Sequence, residues 1–140
     1  MSSVPDWYRD VEVTGLPTTL GIEILELSEK RVVATMPVDG RTRQPFGILH
    51  GGASVALAET VASFGAVALI DRERYVAVGQ EINANPLRPK LDGVVRATGV
   101  PVPRNSAESK KASTIWPRFC APVNSWFAQC VTPTASPSRP

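Results

Sequence analysis

"QPFGILHGGASVALAETVASFGAVALI", residues 44–70, decides the fold. Ala53, Val55, Ala56, Leu57, Ala58, Val61, Ala62, Phe64, Ala66, Val67 and Leu69 put apolar groups on every side at helical spacing. This predicts a helix from about Gly52 to Ile70 that is buried all round. One carboxylate, Glu59, stands in its middle, and the hydrophilic DRER of residues 71–74 ends it. The run approaches the roughly 20 apolar residues that a membrane span needs. Glu59, Thr60 and Ser63 at its centre argue against a span, because an acid inside a bilayer needs its own explanation. No membrane partner is expected. A small soluble domain buries such a helix by wrapping a curved antiparallel sheet around it, with a second copy or a further layer covering what remains.

The flanks supply the strands. Upstream, GIEILELSEKRVVATMPVD (residues 21–39) holds two β-rich runs joined by SEK, a hairpin pattern. DGRTRQPFGILH (residues 39–50) has the polar, glycine-containing composition of a loop. Downstream, RYVAVGQEINANPLRP (residues 74–89) reads as a third strand and DGVVRATGVPVP (residues 92–103) as a fourth. From Arg104 the pattern lapses into scattered prolines with no clear strand pair. The expected organisation is one domain over residues 1–140, with a lead-in at 1–15 and an atypical tail at 104–140, for which a genuine variant C-terminus, a disordered segment and an out-of-frame reading are the alternatives.

Composition narrows the function. The 140 residues fit one domain, and 43% hydrophobic and 20% charged residues with a formal charge of +2 describe a soluble globular protein. Nothing in that charge indicates nucleic acid. Cys120 and Cys130 form no C-x-x-C pair, and His50 is the chain's single histidine, so metal and redox chemistry are weakly supported. The first residues, MSSVPDWYRDVEV, do not form a secretory signal, and a cytoplasmic location is expected.

Three positions can carry chemistry. Glu59 and Ser63 lie four apart and share a helix face, with Thr60 beside them. A carboxylate in apolar surroundings is tolerated when it is paired, neutralised or used, so Glu59 is either an active acid or the partner of a solvent gap or of an arginine such as Arg88. His50 precedes Gly51 and Gly52 at the expected helix start, where unpaired N–H groups and the helix dipole suit an oxygen that becomes negative during attack. The same histidine reads equally as a plain cap or a packed ring. Gln44, six residues earlier, counts for little by itself.

"MPVDGRTRQPFGILHGGASVALAETVAS" followed by "GQEINANPLRP" resembles the hotdog-fold acyl-CoA thioesterases of the phenylacetate-type (PaaI-like) branch, and within it the 1,4-dihydroxy-2-naphthoyl-CoA hydrolases of quinone biosynthesis. The likeness runs from about Leu20 to Val102, and its specific part is HGG with an acid nine residues after the histidine. It implies an α+β hotdog fold, a curved antiparallel sheet around one long buried helix, with the last strands missing or altered here. It further implies a homodimer or homotetramer whose protomers pair edge to edge, and a hydrolase for an acyl-CoA with an aromatic acyl group. No cofactor is implied beyond the coenzyme A of the substrate. Carried over by position, Glu59 would be nucleophile or general base, and the Gly51 N–H would polarise the thioester carbonyl. His50 and Gln44 from one protomer would orient ester and water, with Glu59 and Ser63 coming from the other. Gly79, Pro86, Leu87, Arg88 and Pro89 would line the acyl and CoA path, Arg88 facing a phosphate. Family members often carry a histidine where Pro86 stands. A non-catalytic CoA-ester-binding member, or an inactive truncated one, is the alternative reading.

Overall fold

Two strands, β1 (Glu23–Leu27) and β2 (Val32–Pro37), form the predicted hairpin. Ser28 closes it, because its hydroxyl accepts the N–H groups of Lys30 and Arg31 while its own N–H donates to the Arg31 carbonyl. The computed structural model describes residues 3–84, 88–102, 112–119 and 123–131. Two short helices precede the hairpin, α1 (Asp6–Arg9) and α2 (Leu16–Leu20), so the lead-in carries a helical turn of its own. The long helix α3 spans Gly51–Leu69, within a residue of its predicted bounds. The strands that follow are β3 (Val76–Ala84), β4 (Val94–Val102), β5 (Ala112–Phe119) and β6 (Val123–Val131).

These six strands make one sheet in the order β1-β2-β4-β5-β6-β3, every neighbouring pair antiparallel. The four strands read from the sequence are present. The last two lie in the stretch where the sequence showed no strand pair, and they fill the middle of the sheet between β4 and β3. Proline hid one of them, since Pro117 removes a ladder N–H and argues against a central strand. The β5–β6 register runs from Ala112↔Gln129 to Thr114↔Phe127, so Pro117 lies past that ladder while still paired opposite Gly99 of β4.

The core forms where β2 and β4 meet the helix. Val32, Ala34 and Met36 of β2 are fully buried, and their partners across the ladder are Gly99, Ala97 and Val95. The small pair Ala34↔Ala97 lets α3 approach closely, and Ala53, Leu57 and Val61 of the helix pack with them, joined by Leu20, Ile22 and Leu27. Burying a side chain such as Leu57 contributes about 1.5–3 kcal/mol. Near the helix's C-terminal half, Tyr8 of α1 meets Phe64 edge-on at 5.1 Å, and the Arg72 guanidinium lies 4.2 Å over the Trp7 ring.

The helix is not buried all round. Ala53, Leu57, Ala58, Thr60, Val61, Ala62, Gly65 and Ala66 are buried, whereas Gly52 and Glu59 are exposed and Val55, Ala56 and Ser63 are half-buried between them. A single concave sheet reaches only part of a helix's circumference, so one protomer leaves this stripe open.

Candidate active site

The loop between β2 and α3 is a tight hairpin held at both ends. Asp39 starts it: its side chain accepts the Arg41 N–H at 2.9 Å, and its carbonyl accepts the N–H groups of Thr42 and Arg43. Arg41 folds back onto the same carboxylate at 2.6 Å, and chiefly this side-chain hydrogen bond holds the Asp39 carboxyl below the usual carboxylate range. The strands of the hairpin meet at Arg43↔Leu49, flanked by Gln44 N–H to the Ile48 carbonyl and His50 N–H to the Thr42 carbonyl, both at 2.8 Å. Gly47, at φ +80°, makes the turn that only glycine adopts readily, and Phe46 at the tip is 87% exposed. The hairpin is tied to the segment before β4 through Leu49 N–H to Lys90 and Arg43 Nη2 to Leu91.

This loop delivers His50 to the start of α3 as its N-cap. The Gly52 N–H donates to His50 Nδ1 at 2.9 Å. A nitrogen that accepts a hydrogen bond carries no proton, so the neutral ring holds its hydrogen on Nε2 and presents that edge as a donor. The reading of this histidine as a helix cap is met by Nδ1, which leaves Nε2 for another role. Glycine at position 52 is what seats the ring, because a Cβ built there would lie 3.0 Å from Nδ1 and 3.2 Å from Cε1. Among the described residues the Gly51 N–H has no acceptor, whereas Ala53 and Ser54 donate to the His50 carbonyl. Two donors at the positive end of a 19-residue helix, Gly51 N–H and His50 Nε2–H, thus have no partner among the described residues.

Glu59 is exposed, facing a solvent gap and not sunk in an apolar interior; it sits on the open stripe that the sheet does not reach. Among the described residues it makes no ion pair, with Arg88 or with any other cation, and Ser63 Oγ donates to its Oε1 at 2.9 Å. The nine positions from His50 to Glu59 span about 13 Å along the axis. That rise along the axis keeps the acid and the histidine loop of one chain apart. Water around Glu59 can be excluded only by another surface laid on this stripe.

Gly79 is exposed on β3, at one edge of the sheet, beside a bulge between Gly79 and Glu81. Arg88 and Pro89 are exposed, and Pro86 and Leu87 lie outside the described residues. A groove of about 520 Å³ lined by Tyr8, Val13, Thr18 and the start of β1 contains none of the candidate residues. The sequence reading passed over Thr42, which is buried in the root of the loop; a hydroxyl in a polar loop gives no sign of burial until its partners are known.

The chain is similar to known proteins in sequence and in fold. A profile described as the thioesterase superfamily matches residues 46–104. The chain is similar to the proofreading thioesterase EntH of Cronobacter turicensis, with 43% identity over 104 residues that cover 69% of this chain and 75% of EntH. It is similar to a 1,4-dihydroxy-2-naphthoyl-CoA hydrolase of Listeria monocytogenes, with 48% identity over 84 residues, 60% of this chain and 68% of that one. Other curated relatives reach 61% identity, yet the match spans only 54–66% of their length. The crystal structure of a variant thioesterase from Pseudomonas aeruginosa superposes with a TM-score of 0.73 at 31% identity, covering 86% of this chain and 88% of that one. With three quarters of EntH matched, and a hotdog arrangement of sheet and helix, the chain belongs to the thioesterase superfamily.

Proposed function

We propose that the protein hydrolyses the thioester of an aromatic acyl-CoA, at sites built between two protomers of a homodimer or homotetramer in the cytoplasm. One observation carries this reading: α3 holds two donors at its N-terminus that no described residue takes up, and a hydroxyl-bonded carboxylate about 13 Å further along its axis, too far apart for one chain to join. A second protomer that lays its open stripe against the first brings Glu59 to the facing His50 loop and removes water from both. The kinship with a 1,4-dihydroxy-2-naphthoyl-CoA hydrolase supports a fused or single aromatic ring as the acyl group.

The chemistry needs few parts. The thioester carbonyl oxygen rests on Gly51 N–H and His50 Nε2–H, which stabilise the negative charge that develops there; one such donor contributes about 10²–10³ in rate. Glu59 of the facing protomer either attacks the carbonyl carbon or takes a proton from a water that does, and general-base help of this kind contributes about 10²–10⁴. The C–S bond breaks and coenzyme A leaves as the thiol, with the proton that Glu59 took from water or, in the nucleophilic route, one from solvent. In that second route a water then hydrolyses the acyl anhydride on Glu59, so both routes end in the free acid and a restored carboxylate. Ser63 fixes the carboxylate, Gln44 holds the water or the ester, and Gly79 with Pro86, Leu87, Arg88 and Pro89 lines the acyl and CoA path, Arg88 meeting a phosphate.

The test is thiol release from benzoyl-, phenylacetyl- and 1,4-dihydroxy-2-naphthoyl-CoA. Wild-type protein is expected to release thiol and Glu59→Ala to lose that activity while still binding coenzyme A. Full activity in Glu59→Ala removes the assignment of the acid. Stabilisation by an acyl-CoA without any thiol release makes the protein a non-catalytic binder instead.

A further inference from the structure

We propose that Thr42 is a positioning residue that sets the His50 loop for catalysis, and the assignment rests on the reading of that loop given above. Thr42 is 1% exposed, and its position in a polar loop makes that burial unusual. Its hydroxyl donates to the Pro37 carbonyl at the end of β2 at 2.8 Å and accepts the Asp39 N–H at 3.1 Å. Its own N–H donates to the Asp39 carbonyl at 3.1 Å. Its carbonyl accepts the His50 N–H at 2.8 Å. One residue thus joins the last position of β2 to the cap of α3. A buried hydroxyl must be hydrogen-bonded or it destabilises its surroundings, so these bonds hold the Thr42 side chain in one place.

The chain of contacts reaches the reacting atoms in two steps. Pro37 and Asp39 fix the Thr42 hydroxyl, Thr42 fixes the His50 backbone, and His50 then places Nδ1 against Gly52 with Nε2 outward. A shift of the Thr42 carbonyl rotates the cap residue and moves both the Nε2–H and the Gly51 N–H from the position that the carbonyl oxygen occupies. Thr42 touches no substrate in this account and acts only through His50.

The experiment compares Thr42→Val, which keeps the volume and removes the hydroxyl, with Thr42→Ser, which keeps the hydroxyl. Two readouts are taken on the full chain: hydrogen exchange at the His50 and Gly52 amides, and kcat with KM for benzoyl-CoA. Thr42→Val is expected to speed exchange at both amides by about tenfold or more and to lower kcat by about tenfold or more with KM within about twofold. Thr42→Ser is expected to restore both. If Thr42→Val does not fold, Thr42→Ala takes its place in the same comparison. Unchanged exchange at His50 in the hydroxyl-free variant overturns the proposal whether or not the protein turns over any ester. Faster exchange with kcat per folded molecule unchanged also overturns it, since Thr42 is then only a structural anchor. Absence of thiol release from wild-type protein sinks the enzymatic reading, and with it the catalytic part of this proposal.

Discussion

Gly52→Ala separates function from stability at the start of α3. A Cβ at this position meets His50 Nδ1 at 3.0 Å and Cε1 at 3.2 Å, closer than ordinary contact, so the ring has to withdraw by about 0.5 Å or turn away. The first movement stretches, and the second breaks, the 2.9 Å bond from the residue 52 N–H to Nδ1. Loss of a helix cap costs about 0.5–2 kcal/mol. Alanine in place of glycine within a helix returns roughly 0.5–1 kcal/mol, and the backbone at Gly52 is not among the glycines with positive φ. The two effects largely offset each other, so the stability read from urea unfolding changes by no more than about 1.5 kcal/mol. Activity has no such compensation. With Nδ1 unpinned, Nε2–H no longer faces the ester oxygen, and kcat for an aromatic acyl-CoA is expected to fall by about 10²-fold. Denaturant titration and thiol-release kinetics on the same preparation check both halves. Gly52→Ala with wild-type kcat refutes the seating of the ring, and a loss of several kcal/mol shows that the glycine serves the fold instead.

Three further outcomes follow from the same geometry. Leu57 is fully buried against β2 and β4, so Leu57→Ala is expected to cost about 2–5 kcal/mol in chemical denaturation. Ser63→Ala frees the Glu59 carboxylate from its 2.9 Å partner at a half-open surface; stability should stay within about 0.5 kcal/mol in the same titration, while kcat falls. Asp39 has its folded pKa depressed, so its bond to Arg41 contributes fully above the unfolded value and is lost as the pH falls through the folded one. Hydrogen exchange at the Arg41 amide should therefore rise only below about pH 4, and Asp39→Asn should abolish that acid-dependent step.

Much of the fold was legible because local signals and tertiary demand agree. The SEK turn, the two hairpin strands and the limits of α3 follow from hydrophobic runs bounded by polar punctuation, and Ser28 supplies the hydrogen bonds that make the turn. β5 and β6 were not legible, since a strand with Pro117 in it and no alternation carries no local signature, and only the sheet around it gives it a place. The helix misled in a different way. Its apolar composition is uniform, yet the sheet covers one side, and the uncovered stripe with Gly52, Glu59 and Ser63 is apolar at Val55 and Ala56. At the site, residue types and spacing pointed to His50, Gly51, Glu59 and Ser63, while Thr42 and the seating role of Gly52 depend on contacts across the loop, which no spacing reveals.

The central claim is that each site draws its acid and its histidine loop from different protomers, and subunit complementation tests it most directly. His50→Ala and Glu59→Ala proteins, each inactive alone, are mixed, unfolded and refolded together, and thiol release from an aromatic acyl-CoA is measured. Random pairing makes about half of the dimers mixed, and each mixed dimer regains one intact site of two, so about a quarter of wild-type activity should return. A mixture as inactive as its two components contradicts the account, because the acid and the histidine would then have to act within one chain.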